Sequence, residues 1–250
     1  MAASPAITRF PQAKPATALM QIAGLSKCYG EQRALAGVSF EIRANEVLGL
    51  IGPNGAGKTT LLETIAGILP ADAGEVLWRR APLSQDRRRD AIFYLPDGLR
   101  PWEDEFVLRV LKFFAAVYGH EQSHVIETIR SVGLSPVLTK RIGTLSKGYA
   151  RRLMLALALL TPQPVLLMDE PFDGFDLRQT REIMNVLRSV ASQGRSLVLA
   201  IHQLIDAERI CERFILLADG QVRGVGTLGE LRVRAGRASA GLEEIFLALT

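Results

Sequence analysis

A glycine-rich loop ending in lysine and threonine occupies residues 52–59, where the chain reads GPNGAGKT. Glycine lets consecutive backbone N–H groups turn inward, where they can bind phosphate oxygens. The lysine can reach the β- and γ-phosphates, and the threonine hydroxyl can bind Mg²⁺. The alternative is a glycine turn with an incidental lysine, which the predicted strand before the loop and helix after it disfavour. The predicted nucleotide contacts are Gly52, Pro53, Asn54, Gly55, Ala56, Gly57, Lys58, Thr59 and Thr60.

Two adjacent carboxylates, Asp169 and Glu170, follow the apolar run 165–168 and precede Pro171. Such a run predicts a buried strand, and ligands of open α/β sheets bind at the carboxyl ends of these strands. Asp169 is suited to hold Mg²⁺, and Glu170 to polarise the water that attacks the γ-phosphate. The alternative is a pair of exposed acids in a turn, which the hydrophobic run disfavours.

The elements that must position these residues follow an α/β pattern. Short strands are predicted at 20–25 and 38–42, with Tyr29-Gly30 and Gly37 as breaks. Asp219-Gly220 predicts a hairpin. Further strands are predicted at 47–51, 75–78, 92–95, 165–168, 196–201, 214–217 and 221–225, and helices at 58–68 and 177–192.

Residues 98–162 show helical periodicity, as in the series Phe106, Val110, Phe113 and Phe114. The pattern predicts a helical subdomain inserted between two parts of a parallel α/β core. Three further segments are distinguished: a flexible tail at 1–18, a main domain at 19–235 and a C-terminal helix at 236–250.

Composition limits the classes of protein. The chain has 250 residues, 48% of them hydrophobic, and a net charge of +4, which suits a globular protein that is only mildly basic. No secretory signal and no run of about twenty apolar residues are evident, so a chain that is soluble until it meets a partner is expected. Cys28 and Cys211 are predicted to be reduced thiols.

Two other patterns are interpreted as structural. Arginines at 79–80 and 87–89 predict a solvated loop; a nucleic-acid surface is the weaker alternative because no aromatic residues interleave with them, and no nucleic-acid partner is expected. Residues 224–229 read GVGTLG, but too little chain follows for a dinucleotide-binding βαβ unit. These glycines predict a turn and the start of a helix, with a capping box from Thr227 to Glu230.

In this order, the motifs resemble the ATP-binding cassette (ABC) family, the nucleotide-binding subunits of ABC transporters. The resemblance covers about residues 19–235. It implies an α/β P-loop NTPase core, ABC-type and RecA-like, with an antiparallel β subdomain and the inserted helical subdomain. It also implies ATP and Mg²⁺ as cofactors, with Thr59, Asp97 and Asp169 as metal ligands.

The resemblance assigns roles to residues that would otherwise carry none. Tyr29 matches the aromatic residue that stacks on adenine, and His202 matches the histidine that contacts the γ-phosphate. Taken alone, each would be interpreted as a core residue. The sequence FDGFD, ending at Asp176, is similar to the loop that crosses to the partner subunit.

The sequence LSKGY at 145–149 is similar to the family signature LSGGQ. Ser146 is placed to cap the following helix, leaving N–H groups near Gly148 pointing outward as an anion site. In the family this site closes over ATP bound to a second copy, so a head-to-tail dimer with composite sites is expected. Lys147 and Tyr149 depart from the signature; Lys147 either adds positive charge to the closed site or points to solvent.

A second departure is Asp97, which stands where the family places glutamine. Its carboxylate keeps an oxygen for Mg²⁺ or the attacking water, but it is shorter, charged and lacks the amide donor. An altered role in the same place is expected.

The leading hypothesis is an ATPase subunit at the cytoplasmic face of the cell membrane, serving a permease on a separate chain. ATP would close a dimer with a second copy or with a homologous ATPase subunit, and the insert would push on the permease. The LSKG form and the tail 242–250 resemble bacterial ABC-2-type systems, mostly exporters. Two alternatives stay open: a soluble ABC ATPase, such as one for metal-cluster assembly, and a degenerate cassette that hydrolyses ATP poorly.

Overall fold

The computed structural model describes residues 18–99 and 102–250. The tail predicted for 1–18 lies outside the described residues, apart from Ala18, which begins the first strand. The strands are β1 (Ala18–Tyr29), β2 (Gln32–Arg43), β3 (Val47–Ile51), β4 (Ala73–Trp78), β5 (Ala81–Pro82), β6 (Ile92–Leu95), β7 (Val165–Asp169), β8 (Ser196–Ala200), β9 (Arg213–Ala218) and β10 (Gln221–Gly226). The helices are α1 (Lys58–Ala66), α2 (Arg88–Ala91), α3 (Val107–Val117), α4 (Gln122–Ser131), α5 (Lys147–Leu159), α6 (Leu177–Ser192), α7 (Leu204–Ile210), α8 (Leu228–Ala235) and α9 (Leu242–Leu249).

A six-stranded sheet forms the centre, in the order β10-β9-β3-β8-β7-β6. Strands β9, β3, β8, β7 and β6 run parallel, and β10 pairs antiparallel with β9 across the predicted hairpin. Every residue of β3, β7 and β8 is buried, because both faces of the sheet are covered. The predicted parallel core is confirmed, and it brings the carboxyl ends of β3, β6 and β7 to one edge.

A four-stranded antiparallel sheet, in the order β2-β1-β4-β5, forms the second layer. Its first two strands have 12 residues each and are longer than predicted. Gly37, predicted as a break, lies inside β2 with φ +68°, beside a register shift between β1 and β2. It marks a β-bulge, which bends the strand without ending it.

Helices α3, α4 and α5 lie between β6 and β7 and form the predicted insert. Their buried side chains, Leu153 among them, make one hydrophobic cluster with α6 and one face of the central sheet. A second cluster on the opposite face joins the sheet to α1 and the antiparallel layer. The boundaries predicted for the domains remain predictions. Within the described ranges, no helix has both the length and the apolar character needed to cross a bilayer.

Two expectations about loops are wrong. Arg88, placed in a solvated loop, begins the short helix α2 and is buried, with its guanidinium donating to the carbonyl oxygen of Thr64 at 2.5 Å. Gly226, assigned to a turn, is the last residue of β10 because it pairs with Phe214 of β9, whereas Gly224 lies within the strand predicted at 221–225. The predicted helix start is confirmed, with a capping box between Thr227 and Glu230.

Candidate functional site

The glycine-rich loop connects the buried strand β3 to α1 and passes close to two other strands. A Cβ on Gly52 would lie 2.3 Å from the carbonyl oxygen of Leu217 in β9. A Cβ on Gly57 would lie 2.6 Å from that of Ala34 in β2, and Gly57 also has a φ of +101°. The loop can follow this course because both positions lack a side chain.

Lys58, near the end of the loop, is the first residue of α1 and is buried. Its ammonium donates hydrogen bonds to the carbonyl oxygens of Gly52, at 2.8 Å, and Pro53, at 3.2 Å. The side chain therefore folds back across the loop, which keeps its charge at the place where phosphates would bind. The N-terminus of α1 points at the same place and favours an anion there.

Gly220, in the β9–β10 hairpin, joins the loop to the antiparallel sheet. Its N–H donates to the carbonyl oxygen of Ala56 at 3.1 Å, and its own carbonyl accepts from the N–H of Ala36 at 2.8 Å. A side chain at this position would meet the carbonyl oxygen of Ala34 at 2.5 Å. One glycine thus holds the phosphate loop and β2 together.

Asp169, the last residue of β7, is buried and accepts a hydrogen bond from the Thr59 hydroxyl at 2.6 Å. Burial raises the pKa of Asp169, while the Thr59 hydrogen bond and the charge of Lys58 act in the opposite direction. The hydroxyl and the carboxylate are hard oxygen donors, the kind that Mg²⁺ prefers, and they lie side by side. These residues fit a Mg²⁺ site.

Glu170 and His202 meet just beyond the ends of β7 and β8. The Glu170 carboxylate lies 2.5 Å from His202 Nδ1 and accepts from the His202 N–H at 3.3 Å. The backbone of Glu170 adopts a φ of +48°, and its N–H donates to the carbonyl oxygen of Ala200 at 3.0 Å. A glutamate with its backbone in the left-handed region is unusual, and backbone strain of this kind is typical of functional sites.

Most of these groups open onto one cleft of about 670 Å³, but the described residues that line it do not include Gly52, Pro53, Ala56 or His202. Of the predicted residues, its lining contains Tyr29, Asn54, Gly55, Gly57, Lys58, Thr59, Thr60, Asp97, Asp169 and Glu170. It also contains residues that the sequence did not indicate, namely Gln32, Arg33, Ala34, Asp219 and Gly220. Arg33 and Gln32 come from β2, paired with Cys28 and Tyr29 of β1, and that register could not be read from the motifs.

The signature segment begins α5. Ser146 is the predicted N-cap, and its hydroxyl accepts from the N–H of Tyr149 at 3.4 Å. Neither Ser146 nor Gly148 is among the described residues that line the cleft. The same holds for Asp176, which caps α6 through a 2.8 Å hydrogen bond from the N–H of Gln179. Their predicted roles across a dimer interface remain predictions.

Two ion pairs tie the start of α5 to the core. Arg151 donates to the carboxylate of Asp97, the residue that replaces the expected glutamine after β6. One turn earlier, Lys147 Nζ lies 2.7 Å from Asp173 Oδ2, and this hydrogen bond is the main reason that the pKa of Asp173 is lowered. Lys147 therefore binds the loop before α6 while 63% of its side chain stays exposed to solvent, and an added charge at the closed site of a dimer remains a prediction.

Comparisons with known proteins place the chain among similar sequences and structures. A sequence profile of the ABC transporter family matches residues 35–173. The Nod factor export ATP-binding protein I of Rhizobium sp. is 33% identical over 217 residues, covering 83% of this chain and 70% of that protein. The ABC-type transporter ATP-binding protein EcsA of Bacillus subtilis is 29% identical over 238 residues, covering 93% and 96%. A solved ATP-binding subunit of an ABC transporter matches with a TM-score of 0.84 at 28% identity, covering 92% of this chain and 99% of that chain.

Proposed function

The chain belongs to the ABC transporter family as an ATP-binding subunit, and we propose that it hydrolyses ATP to drive a separate membrane permease. One observation carries the proposal: Lys58, Thr59, Asp169 and Glu170, each suited to a different part of phosphoryl transfer, line one cleft. A chain that bound nucleotide without hydrolysing it would need Lys58 to bind the phosphates, but it would not need a carboxylate at the position of Glu170.

Binding of ATP begins at the loop and α1. The Lys58 ammonium exchanges its bonds to the Gly52 and Pro53 carbonyl oxygens for phosphate oxygens, a stronger charge-assisted contact. At the other end of the cleft, the ring of Tyr29 is half exposed and available to stack on adenine. Thr59 and Asp169 would hold Mg²⁺, which would neutralise phosphate charge.

Hydrolysis needs a water aligned with the γ-phosphate. A carboxylate oxygen of Glu170 accepts a hydrogen bond from this water and increases its nucleophilicity. With both ring nitrogens protonated, His202 can donate to Glu170 through Nδ1 and to the γ-phosphate through Nε2. The short contact between His202 Nδ1 and the Glu170 carboxylate supports the role proposed for Nδ1.

The site is completed by a second copy of the chain. Ser146 and Gly148, at the N-terminus of α5, present an anion site that is not part of the cleft in their own chain. In a head-to-tail dimer they bind the phosphates of ATP held by the partner, and the loop ending at Asp176 crosses the interface. Dimer closure then converts ATP binding into movement.

The permease is contacted by the insert, at the cytoplasmic face of the membrane. Trp102, Phe106, Phe113 and Val117 expose between 42% and 58% of their surface there, an apolar area suited to a protein partner. The relative from Rhizobium is named for export, which supports the direction proposed for this chain.

Two measurements test the proposal. The purified chain should release phosphate from ATP in the presence of Mg²⁺, and a tagged chain should bring down an integral membrane protein from a detergent extract. Trp102→Glu combined with Phe113→Glu should abolish co-purification, whereas Val233→Glu, an exposed apolar position on α8, should not. Failure to recover a membrane protein with the native chain contradicts the transport function, and absence of phosphate release contradicts the ATPase.

A further inference from the structure

Arg151 is a buried guanidinium at the edge of the nucleotide cleft that no recognised motif explains. Its side chain is 6% exposed, whereas the Asp97 carboxylate to which it donates is 47% exposed and lines the cleft. Burial of an arginine is costly unless its charge is compensated, so its position requires a specific partner. The carboxylate of this ion pair therefore lines the cleft, and the guanidinium lies behind the carboxylate, away from solvent.

Asp97 alone is a poor substitute for a glutamine amide. An amide offers an oxygen acceptor and an N–H donor on a neutral group, whereas a carboxylate offers only acceptors and carries a negative charge. Asp97 shares the cleft with Asp169 and Glu170, and the γ-phosphate of ATP would bring further negative charge. A further uncompensated carboxylate at Asp97 would repel the nucleotide.

Arg151 compensates the negative charge. Its guanidinium donates to the Asp97 carboxylate and brings a positive charge beside it, while Asp97 keeps an oxygen facing the cleft. Its charge also acts on neighbouring acids, because it helps to lower the pKa of Asp173 and opposes the rise in the pKa of Asp169. A small cavity of about 210 Å³, lined by Asp97, Arg151 and Asp173, lies beside the pair.

We propose that Asp97 and Arg151 act as one neutral unit in place of the single glutamine amide, with Arg151 as the positioning residue for Asp97. This inference rests on the proposed function and concerns the same site. It also means that the position of α5, and so of the signature segment, is linked to a cleft residue through one ion pair.

The test is a double-mutant cycle with three variants: Asp97→Gln, Arg151→Gln and the combination of both. The first readout is affinity for a fluorescent ATP analogue with Mg²⁺ and with a chelator, and the second is phosphate release. Arg151→Gln should weaken analogue binding by about tenfold, and more in chelator, because the exposed Asp97 charge then faces the triphosphate. The double variant should return to within about threefold of the native chain, because a neutral amide replaces the pair.

Arg152→Gln is the matched control. Arg152 is also buried on α5, but it donates to the Val132 carbonyl and to Glu182, away from the cleft. Its loss should lower the thermal unfolding midpoint without changing the Mg²⁺ dependence of binding. Equal Mg²⁺ effects in Arg151→Gln and Arg152→Gln would overturn the inference, as would a double variant as defective as Arg151→Gln.

The two proposals fail separately. A native chain that binds the analogue but releases no phosphate refutes the ATPase, and the binding cycle still decides the role of Arg151. A native chain that binds no analogue refutes both.

Discussion

His202 Nδ1 lies 2.5 Å from a carboxylate oxygen of Glu170, and the two residues follow neighbouring parallel strands, β8 and β7. The His202 N–H provides a second contact to the same carboxylate, and Ala200 holds the Glu170 N–H. Together these contacts maintain the left-handed backbone of Glu170. The carboxylate is therefore oriented before any nucleotide arrives.

Glu170→Gln should trap the ATP-bound dimer. The amide keeps the size of the side chain but cannot polarise water, so phosphate release should fall by about 100-fold or more. Size-exclusion chromatography with light scattering should show a dimer when ATP and Mg²⁺ are present. Glu243→Gln, an exposed position on α9, is the matched control and should behave as the native chain does. A Glu170→Gln chain that stays monomeric under these conditions rules out the composite site.

Tyr29→Ala should weaken ATP binding through loss of the stacking surface. Stacking of a base on an aromatic ring contributes about 1–3 kcal/mol, so the dissociation constant should rise by about 5–150-fold. Isothermal titration calorimetry measures the change. Tyr29→Phe keeps the ring and should bind as the native chain does; equal losses in the two variants would mean that the hydroxyl, not the ring, makes the contact.

Asp169→Asn should stabilise the nucleotide-free chain at neutral pH. Burial raises the folded-state pKa of Asp169 above 3.8, so its favourable contribution is present at low pH and is lost as pH rises through the raised pKa. Asparagine is neutral at every pH and can still accept from Thr59. The unfolding midpoint of the variant should therefore exceed that of the native chain at neutral pH, and the difference should shrink as pH falls towards 3.8. A difference in unfolding midpoint that does not change with pH would show that the ionisation of Asp169 is not its cause.

Lys147→Ala should have a small, pH-dependent effect on stability. The pair with Asp173 is partly exposed, so solvent screens it, and the loss in unfolding free energy should be about 0.5 kcal/mol or less. Lys147 lowers the pKa of Asp173, so the contribution of the pair is present above 3.8 and is lost as pH falls through the lowered value. Urea unfolding at low and high salt measures it, with the exposed Lys140→Ala as control. A loss of several kcal/mol would show that Lys147 has a further buried role.

The phosphate loop and the acid pair could be predicted because their chemistry is local. Each is a short run after an apolar strand, and parallel strands bring their carboxyl ends to one edge wherever the chain folds this way. The strand ends of the antiparallel sheet were harder to predict, since Gly37 forms a bulge whose position depends on the pairing of β1 with β2.

The partner of Asp97 could not be predicted from the sequence. Arg151 lies 54 residues away on a helix of the insert, and the packing of that helix decides which of its arginines faces Asp97. Arg152, the next residue, faces Val132 and Glu182 instead. Arg88 shows the same effect, because tertiary packing buries a residue that composition alone assigns to solvent.

Gly220 has a mechanical consequence. Because its N–H bonds to Ala56 and its carbonyl oxygen to Ala36, the phosphate loop and β2 are joined through one residue. A shift of the antiparallel sheet relative to the loop would have to break both hydrogen bonds. The insert connects to the central sheet through the segments after β6 and before β7, so the movement proposed for dimer closure would have to be accommodated there and at the two ion pairs of α5.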